Sequence, residues 1–162
     1  MLRRLLLAGR AWLYHHHERV NAMNVFPVPD GDTGTNMFLT VKRAVEEIQD
    51  FRVDNVALVS ERFAQGALMG ARGNSGTILS MLFRGFAMAL EGHSRKDAPL
   101  LIEALKHAVD HAYETVRSVM EPVEGTILTV AYDVAHAVPS DETSLRHALD
   151  VIVQAAHASL QR

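Results

Sequence analysis

An all-α fold in a single domain is what this sequence predicts, on three observations. Apolar residues recur at the three- and four-residue spacing of helices along nearly the whole chain. Period-two alternation is lacking, and the β-branched residues sit at helical rather than strand intervals. Breaks rich in glycine and proline divide the chain into seven such stretches. The 162 residues suffice for one substantial core, and 48% hydrophobic with only 6% aromatic content suits helices packed through Leu, Ala, Val and Met.

The first stretch begins Met1-Leu2-Arg3-Arg4-Leu5-Leu6-Leu7. Its basic pair and apolar run resemble a signal peptide, but Arg10 interrupts the run and no small-residue cleavage site follows. An amphipathic helix is expected instead, with Leu2, Leu5, Leu6, Gly9, Trp12, Leu13 and His16 on one face. A second helix over about 36–50 buries Met37, Phe38, Val41, Ala44, Val45 and Ile48. Asp54 can cap the third, whose face is Val56, Val59, Phe63, Ala67 and Leu68. The fourth carries Ile78, Leu79, Leu82, Phe83, Phe86 and Leu90 and ends at Gly92. Asp97 caps a long fifth helix with Leu101, Ala104, Leu105, Ala108, Ala112, Tyr113, Val116 and Val119. Pro122 to Thr126 break the chain before a sixth, with Ile127, Leu128, Ala131, Val134 and Ala135. Pro139 and Ser140 or Asp141 start the seventh, which buries Leu145, Ala148, Leu149, Ile152, Val153, Ala156 and Leu160.

Composition excludes several classes of function. A net charge of −3 with a pI near 6.3 gives no electrostatic footprint for nucleic acid. Without cysteine there is neither a disulfide framework nor a Cys-based zinc site, which is compatible with the cytoplasm. No apolar run approaches the ~20 residues of a membrane span. His107 and His111 have the i,i+4 spacing of a zinc pair but lack an obvious third ligand, so a solvent-facing pair is expected. His15-His16-His17 reads as an exposed patch without a site.

The chemistry lies in Asn24-Val25-Phe26-Pro27-Val28-Pro29-Asp30-Gly31-Asp32-Thr33-Gly34-Thr35-Asn36-Met37. Two prolines hold the entry extended. Asp30-Gly31-Asp32 then places two carboxylates on a tight turn, a costly convergence unless a cation sits there, and Mg²⁺ prefers such oxygen ligands. Thr33-Gly34-Thr35 can cap the helix beginning near Asn36, whose N–H groups and dipole welcome an anion. Taken alone, the turn is better explained as a solvated cap that binds nothing. A second loop, Gly70-Ala71-Arg72-Gly73-Asn74-Ser75-Gly76-Thr77, has glycines that let backbone donors approach an anion, with Asn74 or Ser75 as cap, although by itself a plain interhelical turn explains it better. No Gly-Lys-Ser/Thr occurs, so this is not a Walker A loop. A third loop, Glu121 to Ile127, reads by itself as a structural break.

The run from Asn24 to Met37 resembles the signature of the DAK2 (dihydroxyacetone kinase L-domain) family, in the wording of the branch represented by the ATP-binding subunit of bacterial fatty acid kinase. The resemblance covers nearly the whole chain. It implies an antiparallel helical barrel or bundle, eight helices in the family and about seven here, with ATP or ADP bound at one rim by inter-helix loops. It implies that Asp30 and Asp32 hold Mg²⁺, two ions in the dihydroxyacetone kinases, and serve as the catalytic pair. Thr33, Gly34, Thr35 and Asn36, with Asn74, Ser75 and Gly76, would then meet the phosphates, and Thr126 and Ile127 would line the base. It also implies a kinase whose acceptor is presented by a partner, here a fatty acid carboxylate on a lipid-binding subunit, and it allows a homodimer through a full-length chain. Two departures stand out. The dihydroxyacetone branch has a third aspartate where this chain has Val25, so Asn24, a carbonyl or water would replace that ligand. That branch also has His where Thr33 stands, which argues against a dihydroxyacetone-type subunit. The family domain continues to a further turn and final helix, so residues 1–162 are expected to be a nucleotide-binding domain cut before its last helix. From another class, a non-catalytic helical scaffold binding a structural ion is the rival reading.

Overall fold

The computed structural model describes residues 1–93, 97–119 and 121–161. Among these residues the chain is all helix, without strands: α1 (Leu2–Ala22), α2 (Thr33–Glu46), α3 (Val56–Met69), α4 (Gly73–Ala89), α5 (Ala98–Arg117), α6 (Ile127–Ala137) and α7 (Leu145–Leu160). The expected all-α bundle is thus the observed architecture. Each helix packs on the next, with α2 also against α4, and short connections make successive helices antiparallel neighbours. No substantial packing joins α7 back to α1 among the described residues, so the seven helices form an open arc. Antiparallel order sets the starts of α2, α4 and α6 at one end of that arc.

The core is a series of apolar clusters strung along the arc. Val41, Ala44 and Val45 of α2, with Ile48 just beyond its end, are buried at the spacing the sequence prescribes and meet Val59, Phe63 and Ala67 of α3. Phe63 and Phe83 meet edge to face, with ring centres 4.7 Å apart. Val56 and Leu90 pack with Leu100 and Ala104, joining α3 and α4 to α5. Ala112 and Val116 of α5 meet Leu128 of α6, with Ile78, Met81 and Leu82 of α4 alongside. This last cluster seats the start of α6 beside the first turns of α4. Ile48 is fully buried, so Ile48→Ala is expected to cost about 2–5 kcal/mol, because the site cannot collapse around the lost atoms. Urea unfolding checks this, as a lower midpoint at unchanged slope.

Several local expectations are corrected. Asn55, not Asp54, caps α3, accepting from the Leu58 N–H at 3.1 Å. Asp54 instead lies 4.0 Å from the N-terminal amine. Asp97 does cap α5, through the Leu100 N–H at 3.1 Å. The α2 helix starts at Thr33 and ends at Glu46, so Thr33-Gly34-Thr35 form its first turn rather than its cap. Likewise α4 runs from Gly73 to Ala89, with Arg72 at the cap position, so Asn74 and Ser75 cap nothing. Ser144 caps α7 from three residues beyond Asp141.

The outer helices also present different faces from those expected. In α1, Leu2, Leu6, Leu7 and Leu13 lean on the core, while Trp12 is 71% exposed and Leu5 is turned out too. Only one side of α1 has a neighbour, so a narrow stripe satisfies it. In α7, Leu145, Ala148 and Ile152 form the packed line, and Leu149, Val153 and Leu160 face solvent for the same reason. His107 is exposed but joined by its Nδ1 to the Gly85 carbonyl at 2.9 Å. His111 is half-buried where α5 crosses α4 at Gly85, so this pair lines a helix crossing. His17 is half-buried as well, between Tyr14 and Phe38.

Candidate functional site

The Asp-Gly-Asp turn is shaped by the end of α1. Asn24 donates from Nδ2 to the Val28 carbonyl at 2.9 Å and to Asp30 Oδ1 at 2.8 Å. Its own Oδ1 accepts from the Thr33 hydroxyl at 2.7 Å. The side chain therefore clasps both ends of the loop. It is committed to holding the turn, which leaves water and carbonyl oxygens as simpler replacements for a third aspartate. Phe26-Pro27 is a cis peptide bond, and Gly31 sits at φ 70°, a conformation that suits glycine between the two acids. Asp30 and Asp32 are both exposed, with Asp32 at the cap position of α2 but making no side-chain cap bond.

This donor set fits Mg²⁺ in kind. It offers two carboxylates, with hydroxyl and carbonyl oxygens in the same loop. Among the described residues no group of three or more His, Asp or Glu surrounds a common point. Such a pair suits an ion that keeps its waters and takes its remaining ligands from a substrate's phosphates.

The second loop is packed against the first. Ser75 donates its hydroxyl to the Thr33 carbonyl at 3.4 Å. Gly73, at φ 58°, lies so close to Asn36 that a Cβ there would come within 2.6 Å of its Nδ2. Thr40, fully buried, ties the two together: its hydroxyl donates to the Asn36 carbonyl at 2.8 Å and accepts from the Arg72 N–H at 3.2 Å. Gly76 rests directly on Thr40, where a Cβ would stand 2.3 Å from its oxygen. The starts of α2 and α4 thus abut beside the acid turn, and their first N–H groups precede the intrahelical ladders. In α2 that ladder opens with Asn36, bonded to the Asp32 carbonyl at 2.8 Å. The Thr35 N–H is already taken by Asn21 Oδ1 at 3.0 Å. Thr33 and Gly34 thus keep N–H groups ahead of the ladder, whereas Thr35 is turned to α1, its hydroxyl accepting from Asn21 Nδ2 at 2.8 Å, and the Asn36 side chain lies against Gly73. In α4 the ladder opens with Gly76, bonded to the Arg72 carbonyl at 3.0 Å, leaving the N–H groups of Asn74 and Ser75 ahead of it.

Thr126 and Ile127 stand at the start of α6, at the same end of the bundle. Thr126 caps that helix, its Oγ1 accepting from Leu128 at 3.4 Å and donating to the Val123 carbonyl at 2.8 Å. Thr129 braces this third loop, accepting from the Gly125 N–H at 2.9 Å and donating to Glu124 at 2.7 Å. Beside it, burial and then the Glu124 charge raise the Tyr113 phenol above its ordinary pKa of 10.0, against the Thr129 hydrogen bond and Arg117. Asn21, Asn24 and Thr40 in their bracing roles are the residues sequence reading missed. A polar Thr40 set among buried apolar residues of α2 was the one available signal.

The all-α bundle thus gathers two helix starts and an acid pair at one rim, an arrangement also expected of the family that the sequence resembles. The comparisons agree: the DAK2 domain matches residues 27–162, and this chain belongs to that family. It is 44% identical over 161 residues to Protein YloV of Bacillus subtilis, covering 98% of this chain and 29% of that protein. Uncharacterized protein SAB1090 of Staphylococcus aureus is 42% identical over 160 residues, 97% of this chain and 29% of its own length. Another S. aureus protein, SAUSA300_1119, is 47% identical over 133 residues, 82% of this chain and 24% of its own. The chain therefore spans less than a third of these relatives. No helix among the described residues is long and apolar enough to cross a membrane.

Proposed function

We propose that this domain binds ATP or ADP with Mg²⁺ at the rim formed by the starts of α2 and α4, and that it is the nucleotide-binding part of a cytoplasmic kinase. The observation that carries the reading is the abutment of the two loops, Ser75 on Thr33 and Gly73 on Asn36, beside Asp30 and Asp32. Those residue types have a common use. The carboxylates hold Mg²⁺, which supplies charge neutralisation for phosphoryl transfer. The N–H groups of Thr33, Gly34, Asn74 and Ser75 orient phosphate oxygens, helped by two aligned helix dipoles. Gly76 keeps α4 seated on Thr40, and Thr126 and Ile127 border the base. Asp30 and Asp32 bind rather than abstract protons, and positioning is the main work in such transfers.

The acceptor is brought by a partner subunit, on this reading a fatty acid carboxylate on a lipid-binding protein, which yields an acyl phosphate. The test is a calorimetric titration with Mg-ATP followed by transfer of labelled phosphate. Palmitate on a lipid-binding partner is expected to be phosphorylated, and dihydroxyacetone on its own binding subunit is not. The reverse pattern reassigns the acceptor. A thermal shift with Mg²⁺ or Ca²⁺ alone, to which nucleotide adds nothing, overturns the kinase reading in favour of a structural ion.

A further inference from the structure

From the embrace of Thr35 by Asn21, we infer that Asn21 is a positioning residue for nucleotide binding, and that α1 is a working part of the site. The inference rests on the proposed rim site and adds to it a residue that never touches the ligand. Asn21 lies in the last turn of α1 and ahead of residues 27–162, the part matched by the family. Its Oδ1 accepts from the Thr35 N–H at 3.0 Å, and its Nδ2 donates to the Thr35 hydroxyl at 2.8 Å. Asp32 occupies the cap position of α2 yet makes no side-chain cap bond. The cap of α2 is therefore supplied from another helix, and the Asp32 carboxylate is released from that duty for a cation. This division of labour matters, because an aspartate that accepts from its own helix start has fewer lone pairs to offer a metal.

The placement is reinforced one turn earlier. Gly34 packs on the His17 backbone so closely that α1 and α2 cannot slide against each other. Asn24, three residues beyond Asn21, clasps Asp30 and Thr33. Asn21 thus fixes where α2 begins, and Asn24 fixes the turn that leads into it. Removing Asn21 leaves the Thr35 N–H without its acceptor, and the start of α2 loses the bonds that set its position.

The test uses the full chain carrying Asn21→Ala and, separately, Asn21→Asp, which keeps an acceptor for the Thr35 N–H. Without nucleotide, the Thr35 amide of the wild type is expected to exchange with deuterium much more slowly than that of Gly34. Asn21→Ala abolishes this difference and Asn21→Asp restores it. With Mg-ATP, Asn21→Ala raises Kd roughly tenfold, the scale of one lost cap. If the Thr35 amide of the wild type exchanges as fast as that of Gly34, or if Asn21→Ala binds Mg-ATP with unchanged Kd, the inference falls. Retained binding in the Asn21 variants alongside lost binding in Asp30 and Asp32 variants refutes Asn21 alone. Absence of Mg-ATP binding in the wild type refutes the site and this inference together.

Discussion

Asp30→Asn and Asp32→Asn each remove magnesium-dependent nucleotide binding, with affinity expected to fall on the order of a hundredfold or more. Each substitution keeps the size and hydrogen-bonding reach of the side chain while deleting one negative charge, so the loop has little reason to move. Asp30 accepts from Asn24 through Oδ1, a bond that an amide oxygen can equally accept. Asp32 makes no side-chain cap bond, so its replacement leaves α2 intact. Both acids are exposed, so losing one charge there costs the fold little. The variants are therefore expected to match the wild type in thermal midpoint without metal, while calorimetry with Mg-ATP records no measurable binding. Equal Kd values for variants and wild type would place the metal elsewhere, and a large loss of stability would show the acids to be structural.

The residues proposed for this rim stood out in the sequence, and the means by which they are held together did not. Asp30, Asp32 and the glycines around Ser75 stand out through the resemblance to the DAK2 family, carried by the run from Asn24 to Met37, since turn and cap chemistry by itself explains such residues as well. Much of the central helices' faces was readable too: Val41, Ala44 and Val45 are buried because α2 has neighbours enough to cover a wide stripe, although Leu68 of α3 and Val119, expected on such faces, are exposed. That condition fails at the ends of the arc. Trp12 and Val153 lie on apolar faces by periodicity yet stand 71% and 56% exposed, since periodicity reports what a helix could bury and not whether another helix is there. The choice between Asp54 and Asn55 as a cap turns on a single residue of register, finer than composition resolves. Contacts such as Asn21 with Thr35 or Thr40 with Arg72 join residues far apart in the chain. They follow from how α1 and α3 lie across α2, and no local pattern encodes that.

The second large effect is expected at Gly34, where α1 and α2 touch backbone to backbone. A Cβ added there would stand 2.1 Å from the His17 carbonyl oxygen and 2.9 Å from both its carbonyl carbon and its Cα. All three are main-chain atoms in the middle of a helix, so no rotamer change relieves the clash, and α1 must lift away as a unit. Overpacking costs about 1–3 kcal/mol when side chains can adjust. With only backbone to yield, Gly34→Ala belongs at the upper end of that range, which lowers the melting temperature by roughly 6–12 °C for a chain of this size. Gly9 provides the control on the same helix. Nothing lies within 4 Å of its added Cβ, so Gly9→Ala gains helix propensity and stabilises by up to about 1 kcal/mol. The two substitutions are chemically identical and differ only in what stands opposite, so opposite signs isolate the α1–α2 contact. The loss extends to function, because lifting α1 at His17 also pulls Asn21, one turn further on, from the Thr35 groups it holds. Nucleotide affinity in Gly34→Ala should therefore fall at temperatures well below its melting point, where the protein is still folded. Affinity equal to the wild type there, despite the lowered midpoint, would mean that α1 stabilises the bundle without shaping the rim.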